Sequence, residues 1–113
     1  MKVLPHGHKA RLDTEDRLYA RLKGRLLNKR RMELDMTQQE VADGAGISRT
    51  EMHNIEHGLT NEGTLTLRRI CKALRMSYGA LVIQLDYLMD HPEDQKMIER
   101  LKSRRGKKVS RPL

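Results

Sequence analysis

Apolar residues recur every three or four positions along most of the chain, which is the spacing of a helix with one buried face. The longest series runs through Leu18, Leu22 and Leu26, and Gly24 within it weakens the predicted helix, which leaves a break near this glycine open. Shorter series begin at or just after residues that favour a helix start: Thr37, Ser48, Thr64, Ser77 and Pro92. The pattern predicts an all-α fold with a five-helix domain and an extra C-terminal helix.

Two of these helices are short, close together and clearly delimited by the sequence. Thr37 and Glu40 have the spacing of a capping box, in which each side chain satisfies a backbone N–H at the start of a helix. Ser48 and Glu51 repeat this arrangement, and Gly46 between them can adopt the positive φ that ends a helix. The segment 38–57 is therefore predicted to be two helices joined by a tight turn, a helix-turn-helix.

The second helix of this pair has two unlike faces. Met52, Ile55 and Glu56 are expected to point towards the core. A solvent-facing helix usually carries Glu and Lys on its outer face, but this one carries groups that can bond to base edges or phosphates. They are Arg49, Thr50, His53, Asn54 and His57. We therefore interpret this helix as the recognition helix of a protein that binds double-stranded DNA.

The chain is predicted to divide into an arm, a domain and a tail. Residues 1–12 lack periodicity and are predicted to be a flexible N-terminal arm. The helix-turn-helix domain is expected to span residues 13–91, with its first helix starting near Asp13. Residues 92–113 are predicted to form a short helix and a basic tail, with no regular structure from Lys102 onwards.

The net charge of +8 is unevenly distributed. Residues 1–35 carry ten Lys/Arg and five Asp/Glu, residues 36–91 carry five and seven, and residues 92–113 carry eight and three. The three parts therefore have charges of +5, −2 and +5. A polyanion is the natural partner of such a chain. The sequence leaves open the alternative that the basic ends only aid solubility.

Several classes of protein find no support in the sequence. The longest apolar run, 80–83, is too short to span a bilayer, and the N-terminal sequence lacks the apolar segment of a signal peptide. The single cysteine, Cys71, lies on an apolar helix face and fits a reducing cytoplasm. No phosphate loop, carboxylate pair or nucleophile–base arrangement indicates an enzyme. His6 and His8 lack further ligands at suitable spacing, so no metal or other cofactor is expected.

The fifth helix carries more apolar residues than a small core obviously requires. They are Leu81, Val82, Leu85, Leu88 and Met89. Two interpretations stand open for this stripe. It is either the interface of a homodimer or a surface that packs onto the first helix of the same chain.

The segment from Leu27 to about Val82 resembles the phage repressor and Cro family of helix-turn-helix regulators, and especially the controller proteins of restriction–modification systems. The resemblance rests on the segments MTQQEVADGAGISRTEMHNIEHG and LRRICKALRMSYGAL. It implies a lambda-repressor-like domain in which the second helix crosses the DNA backbone and the third enters the major groove.

The resemblance also implies roles for particular residues. A structural ion pair would join Arg31 to Glu56. Contacts with bases and phosphates would come from Gln38, Ser48, Arg49, Thr50 and Asn54. The sequence departs from the family at Glu62, which is an acidic residue in a loop that approaches phosphate in the family. It also departs at Arg75, where a glycine usually ends the fourth helix.

Two functions are consistent with these features. The first is a sequence-specific transcription regulator, a dimeric repressor or autoregulator that reads an inverted-repeat operator through its third helix. The alternative is an antitoxin-type module that binds a protein partner as well as its own operator. The basic chain is a poor match for the basic ribonucleases that such antitoxins often neutralise.

Overall fold

Six α-helices make up most of the described chain. The computed structural model describes the backbone of residues 6–105 and the side chains of residues 14–100. In order, the helices are α1 (His6–Glu33), α2 (Gln38–Ala45), α3 (Arg49–Glu56), α4 (Thr64–Ala73), α5 (Tyr78–Met89) and α6 (Pro92–Arg105). No strand occurs between residues 6 and 105, and the prediction of an all-α fold with five helices and an extra C-terminal helix is confirmed.

The two outer helices are longer than the sequence pattern predicted. α1 begins at His6, inside the segment expected to be an arm, and α6 continues to Arg105, beyond the predicted loss of regular structure at Lys102. Apolar periodicity is weak in both extensions, but Ala, Leu, Lys and Arg are strong helix formers and prolong a helix that packing has already nucleated. The rest of the predicted arm, 1–5, and of the predicted tail, 106–113, lies outside the described residues.

Gly24 does not break α1, which is continuous from His6 to Glu33. A Cβ atom at this position would overlap the carbonyl oxygen of Glu56 and would lie 2.5 Å from that of Ile55. Gly58, just beyond α3, approaches α1 similarly, because its Cβ would lie 2.8 Å from the Cα of Arg21. Glycine is therefore required at these two points so that the C-terminal end of α3 can pack directly against the α1 backbone.

The core lies between these helices. α1 packs against α3, α5 and α6, while α2 packs against α3 and α4. The largest fully buried apolar side chains are Leu22, Leu27, Met52, Ile70, Leu74, Leu81, Leu85 and Val41. Each such side chain contributes about 1.5–3 kcal/mol relative to an exposed position. Cys71 is buried among them, and burial, reinforced by the Glu62 carboxylate, raises the pKa of its thiol to about 11. A thiol of this kind stays protonated and serves as a core side chain.

The apolar stripe of α5 packs mainly within the protomer. Leu81, Leu85 and Leu88 are buried in the core that α5 shares with α1, α4 and α6. These three residues therefore cannot line a dimer interface while this core stays intact, which corrects that part of the dimer interpretation. The outer face of α5 carries different apolar side chains, Ile83 and Tyr87, which are 72% and 49% exposed.

The end of α4 has the geometry expected of a glycine but carries an arginine. Arg75 has a φ of +54°, in the left-handed region that glycine adopts without steric cost. Arg30 of α1 stabilises this turn, since its guanidinium donates to the carbonyl oxygens of Leu74 at 2.9 Å and Arg75 at 3.0 Å. A side chain from α1 thus satisfies carbonyls that the helix end leaves unpaired.

Candidate nucleic-acid interface

The local sequence sets the ends of α2 and α3 and the turn between them. Thr37 Oγ1 accepts from the Glu40 N–H at 3.0 Å, and Glu40 Oε1 accepts from the Thr37 N–H at 2.8 Å, which completes the predicted capping box. Gly46 ends α2 with a φ of +74°. α3 then starts at a second capping box, in which Ser48 Oγ accepts from the Glu51 N–H at 3.0 Å. Each helix start is stabilised by about 1 kcal/mol through such a cap, so the helix-turn-helix is well defined by its own residues.

The outer face of α3 presents polar side chains to solvent. Arg49, Thr50 and His53 are exposed, and Asn54 and His57 are half-buried at the edge of the same face. The opposite face carries Met52, Ile55 and Glu56, all buried. The structure therefore confirms the predicted division of α3 into a core face and a polar face.

The two histidines of this face lie against each other. The ring centroids of His53 and His57 are 4.1 Å apart, and His57 Nδ1 donates to the carbonyl oxygen of His53 at 2.9 Å. This bond occupies one ring nitrogen of His57. Within the described residues, no group of three or more His, Cys, Asp or Glu side chains is arranged to hold a metal ion.

Arg49 lies beside the start of α2. It lines a surface groove of about 690 Å³ together with Thr37, Gln38 and Gln39 and with residues from the end of α1. The start of α2 and Arg49 therefore border one depression. This combination of a helix N-terminus and a cation suits a phosphate oxygen.

Glu56 is the centre of a buried hydrogen-bond network that joins α1, α2 and α3. Arg31 donates to its carboxylate twice, from Nε to Oε2 at 2.6 Å and from Nη2 to Oε1 at 3.0 Å. Asn28 donates to Oε1 at 2.6 Å and Gln38 donates to the same oxygen at 3.0 Å. Arg31 also donates to the Met36 carbonyl oxygen at 2.8 Å, so the network holds the α1–α2 connection as well.

The network sets the ionisation of Glu56. Burial alone would raise the pKa of this carboxyl, but the hydrogen bonds from Arg31, Gln38 and Asn28 outweigh burial and hold its pKa below the ordinary value. The carboxylate is therefore charged, fully bonded and 4% exposed. Its role is to fix α3 against α1.

Besides His57, two of the predicted contact residues make contacts within the protein. The Gln38 amide, expected to bond to a phosphate, turns towards Glu56, and the Ser48 hydroxyl caps α3. Asn28 is a network member that sequence reasoning missed. The sequence signal that could have identified Asn28 is its position three residues before Arg31, since residues at this spacing lie on the same face of a helix.

The fold and this surface define the class of protein: a helix-turn-helix protein that presents a polar recognition helix. Residues 27–81 match the family model HTH_3, described as helix-turn-helix. Residues 27–81 are therefore a Cro/C1-type helix-turn-helix domain, a domain of DNA-binding transcription regulators, which confirms the resemblance found in the sequence.

Solved structures agree with this assignment. The clp gene regulator ClgR from Corynebacterium glutamicum matches with a TM-score of 0.59 at 23% identity, over 74% of this chain and 88% of that chain. At this identity the likeness supports the fold. The wild-type restriction–modification controller protein C.Esp1396I matches with a TM-score of 0.55 at 27% identity, over 66% of this chain and 96% of that chain. The comparison with curated proteins gives no match. No helix in the described part of the chain is long and apolar enough to cross a membrane.

Proposed function

We propose that this regulator is a repressor or autoregulator that binds an inverted-repeat operator as a homodimer, with α3 in the major groove. The observation that carries the proposal is the outer face of α3, where Arg49, Thr50 and His53 are exposed on a helix whose other face is locked into the core. A rigid helix with exposed hydrogen-bonding groups is suited to direct readout of base edges.

The position of Arg49 supports a base contact. It lies in the first turn of α3, the end of a recognition helix that usually enters the groove. An arginine there can donate two bonds to guanine O6 and N7, and Asn54 can bond in the same manner to adenine. Thr50, His53 and His57 would make the neighbouring contacts. Ser48 and Gln38 lie at helix starts, where backbone N–H groups meet phosphates, while their own side chains bond within the protein.

A homodimer follows from the small size of the recognition helix. One α3 of eight residues can contact only a few base pairs, so specific binding requires two copies. Two recognition helices on one face of the duplex would lie ~34 Å apart, and half-sites would be about ten base pairs apart. The exposed Ile83 and Tyr87 on the outer face of α5 support an interface there, with the half-buried Val82 and Met89 at its edges.

Substitution of Arg49 tests the proposed function. Arg49→Ala is expected to reduce discrimination at one symmetric pair of operator positions by ~1–3 kcal/mol, because a bidentate contact with guanine is lost. Binding to duplexes of scrambled sequence should change little. The measurement is a fluorescence-anisotropy titration of each protein, wild type and variant, with the operator and with its single-base variants.

Arg49→Lys is the matched control, since lysine keeps the charge but cannot form the planar pair of bonds. It should resemble Arg49→Ala in discrimination and the wild-type protein in affinity for scrambled DNA. If Arg49→Ala instead weakens binding to every sequence by the same factor, Arg49 holds a phosphate and the specificity must come from elsewhere on α3.

A further inference from the structure

A buried ion pair joins α1 to the α3–α4 loop, residues 57–63. Lys23 Nζ lies 2.9 Å from Glu62 Oε2, and the two side chains are only 3% and 6% exposed. Glu62 is the only acidic residue in the sequence of this loop. The loop is otherwise open to solvent, since Leu59, Thr60 and Asn61 are all exposed. The acidic side chain of an exposed loop is therefore turned into the protein.

Lys23 is what holds the Glu62 carboxylate inside. Both carboxylate oxygens of Glu62 are buried, and no described residue donates a well-aligned hydrogen bond to them. Lys23 is the only cation within ion-pair distance of Glu62 among the described side chains. The ammonium group has other partners, since it donates to Asn61 Oδ1 at 3.4 Å and lies 5.5 Å from the centre of the Tyr19 ring. Without Lys23, a buried carboxylate would have no counter-charge and would move to solvent or take up a proton.

The position of the loop gives this arrangement a consequence for DNA binding. α3 has eight residues and is therefore ~12 Å long, about the width of the major groove. The residues that flank such a helix lie where the groove is bordered by phosphates. The α3–α4 loop directly follows α3, so a carboxylate on its outer surface would face the DNA backbone and repel it.

We propose that Lys23 is a positioning residue for the DNA interface: by holding the Glu62 carboxylate inside the domain, it keeps the only acidic side chain of the α3–α4 loop away from the phosphates. This inference rests on the proposed function, since it requires α3 to lie in the groove. It differs from a purely structural role because it makes an electrostatic prediction about binding.

The test compares Lys23→Met with the double variant Lys23→Met/Glu62→Met. The probes are a duplex selected from a random pool and a scrambled duplex of equal length. Lys23→Met should bind both at least about four-fold more weakly at low salt, the factor for two unit charges held ~5 Å apart in water. The deficit should shrink as salt screens the carboxylate, whereas a deficit due to misfolding would not depend on salt in this way. The double variant should regain wild-type affinity, since it has no acid to release.

A second pair of variants leaves the ion pair intact. Thr60→Glu places a carboxylate on the outer surface of the same loop, and Thr60→Gln is its uncharged control. Thr60→Glu should weaken binding to both duplexes and Thr60→Gln should not. This comparison remains informative if Lys23→Met does not fold, which circular dichroism would reveal.

Three results would overturn the inference while the wild-type protein still binds DNA. In the first, folded Lys23→Met binds DNA with wild-type affinity. In the second, the double variant binds as weakly as Lys23→Met. In the third, Thr60→Glu and Thr60→Gln bind with equal affinity. Failure of the wild-type protein to bind any duplex would instead overturn the proposed function, and this inference with it.

Discussion

Replacement of Glu56 by alanine is expected to lower the free energy of unfolding by about 3–5 kcal/mol, the range for breaking one side of a buried ion pair. The variant would lose the bonds that Arg31, Asn28 and Gln38 donate to the carboxylate. Arg31 would keep its charge in a site where its side chain is only 12% exposed. Thermal and urea unfolding followed by circular dichroism measure the loss.

Glu33→Ala is the matched control for this substitution. Glu33 is also a helical glutamate paired with basic neighbours, Lys29 at 2.7 Å and Arg30 at 3.5 Å, but these partners lie at the surface. Exposed pairs contribute about 0–1 kcal/mol, so Glu33→Ala should be almost neutral. Equal losses in the two variants would show that the Glu56 network contributes no more than a surface pair.

The same network predicts how stability depends on pH. The folded pKa of Glu56 is lowered, so its contribution is fully present above the ordinary glutamate pKa of about 4.3. The contribution is lost as pH falls through the lower folded pKa. Glu56→Gln should therefore lose less stability than the wild-type protein when both are acidified through this range.

Gly24→Ala is expected to be the second strongly destabilising change, although alanine is the better helix former by about 1 kcal/mol. The new Cβ would overlap the Glu56 carbonyl oxygen, which is backbone and cannot rotate away. Separating α1 from α3 to make room should cost more than the helix gains, for a net loss of about 2 kcal/mol. Urea unfolding at neutral pH measures this difference.

Gly79→Ala provides the comparison within another helix. The nearest atom to its added Cβ would be Ser77 Oγ at 3.7 Å, an ordinary van der Waals distance. Gly79→Ala should be neutral or stabilising. A stabilising effect of Gly24→Ala would show that α1 and α3 are not packed as closely as described.

Local signals explain why much of the fold was predictable from the sequence. The capping boxes at Thr37 and Ser48, and the positive φ at Gly46, depend on residues within a few positions of each other. The two faces of α3 follow from helical periodicity in the same way. The family resemblance then placed Arg31 opposite Glu56, which periodicity alone does not do.

Tertiary contacts explain what the sequence did not reveal. Gly24 has the same helix propensity wherever it lies, and only the approach of α3 makes it a packing requirement. Lys23 lies in a leucine-rich helix but has its acidic partner in a distant loop, so no local pattern identifies it as buried. The apolar residues of α5 would have the same helical spacing whether they packed in their own core or against a second copy. Only the structure shows that Leu85 is buried in the core of its own chain.

Selection of bound duplexes from a random pool by the wild-type protein is the most direct test of the central claim, that α3 reads DNA as one half of a dimer. We expect the winners to share an inverted repeat with half-sites about ten base pairs apart, centre to centre. A pool that shows no enrichment, or winners with one non-palindromic half-site bound by a monomer, would contradict the claim.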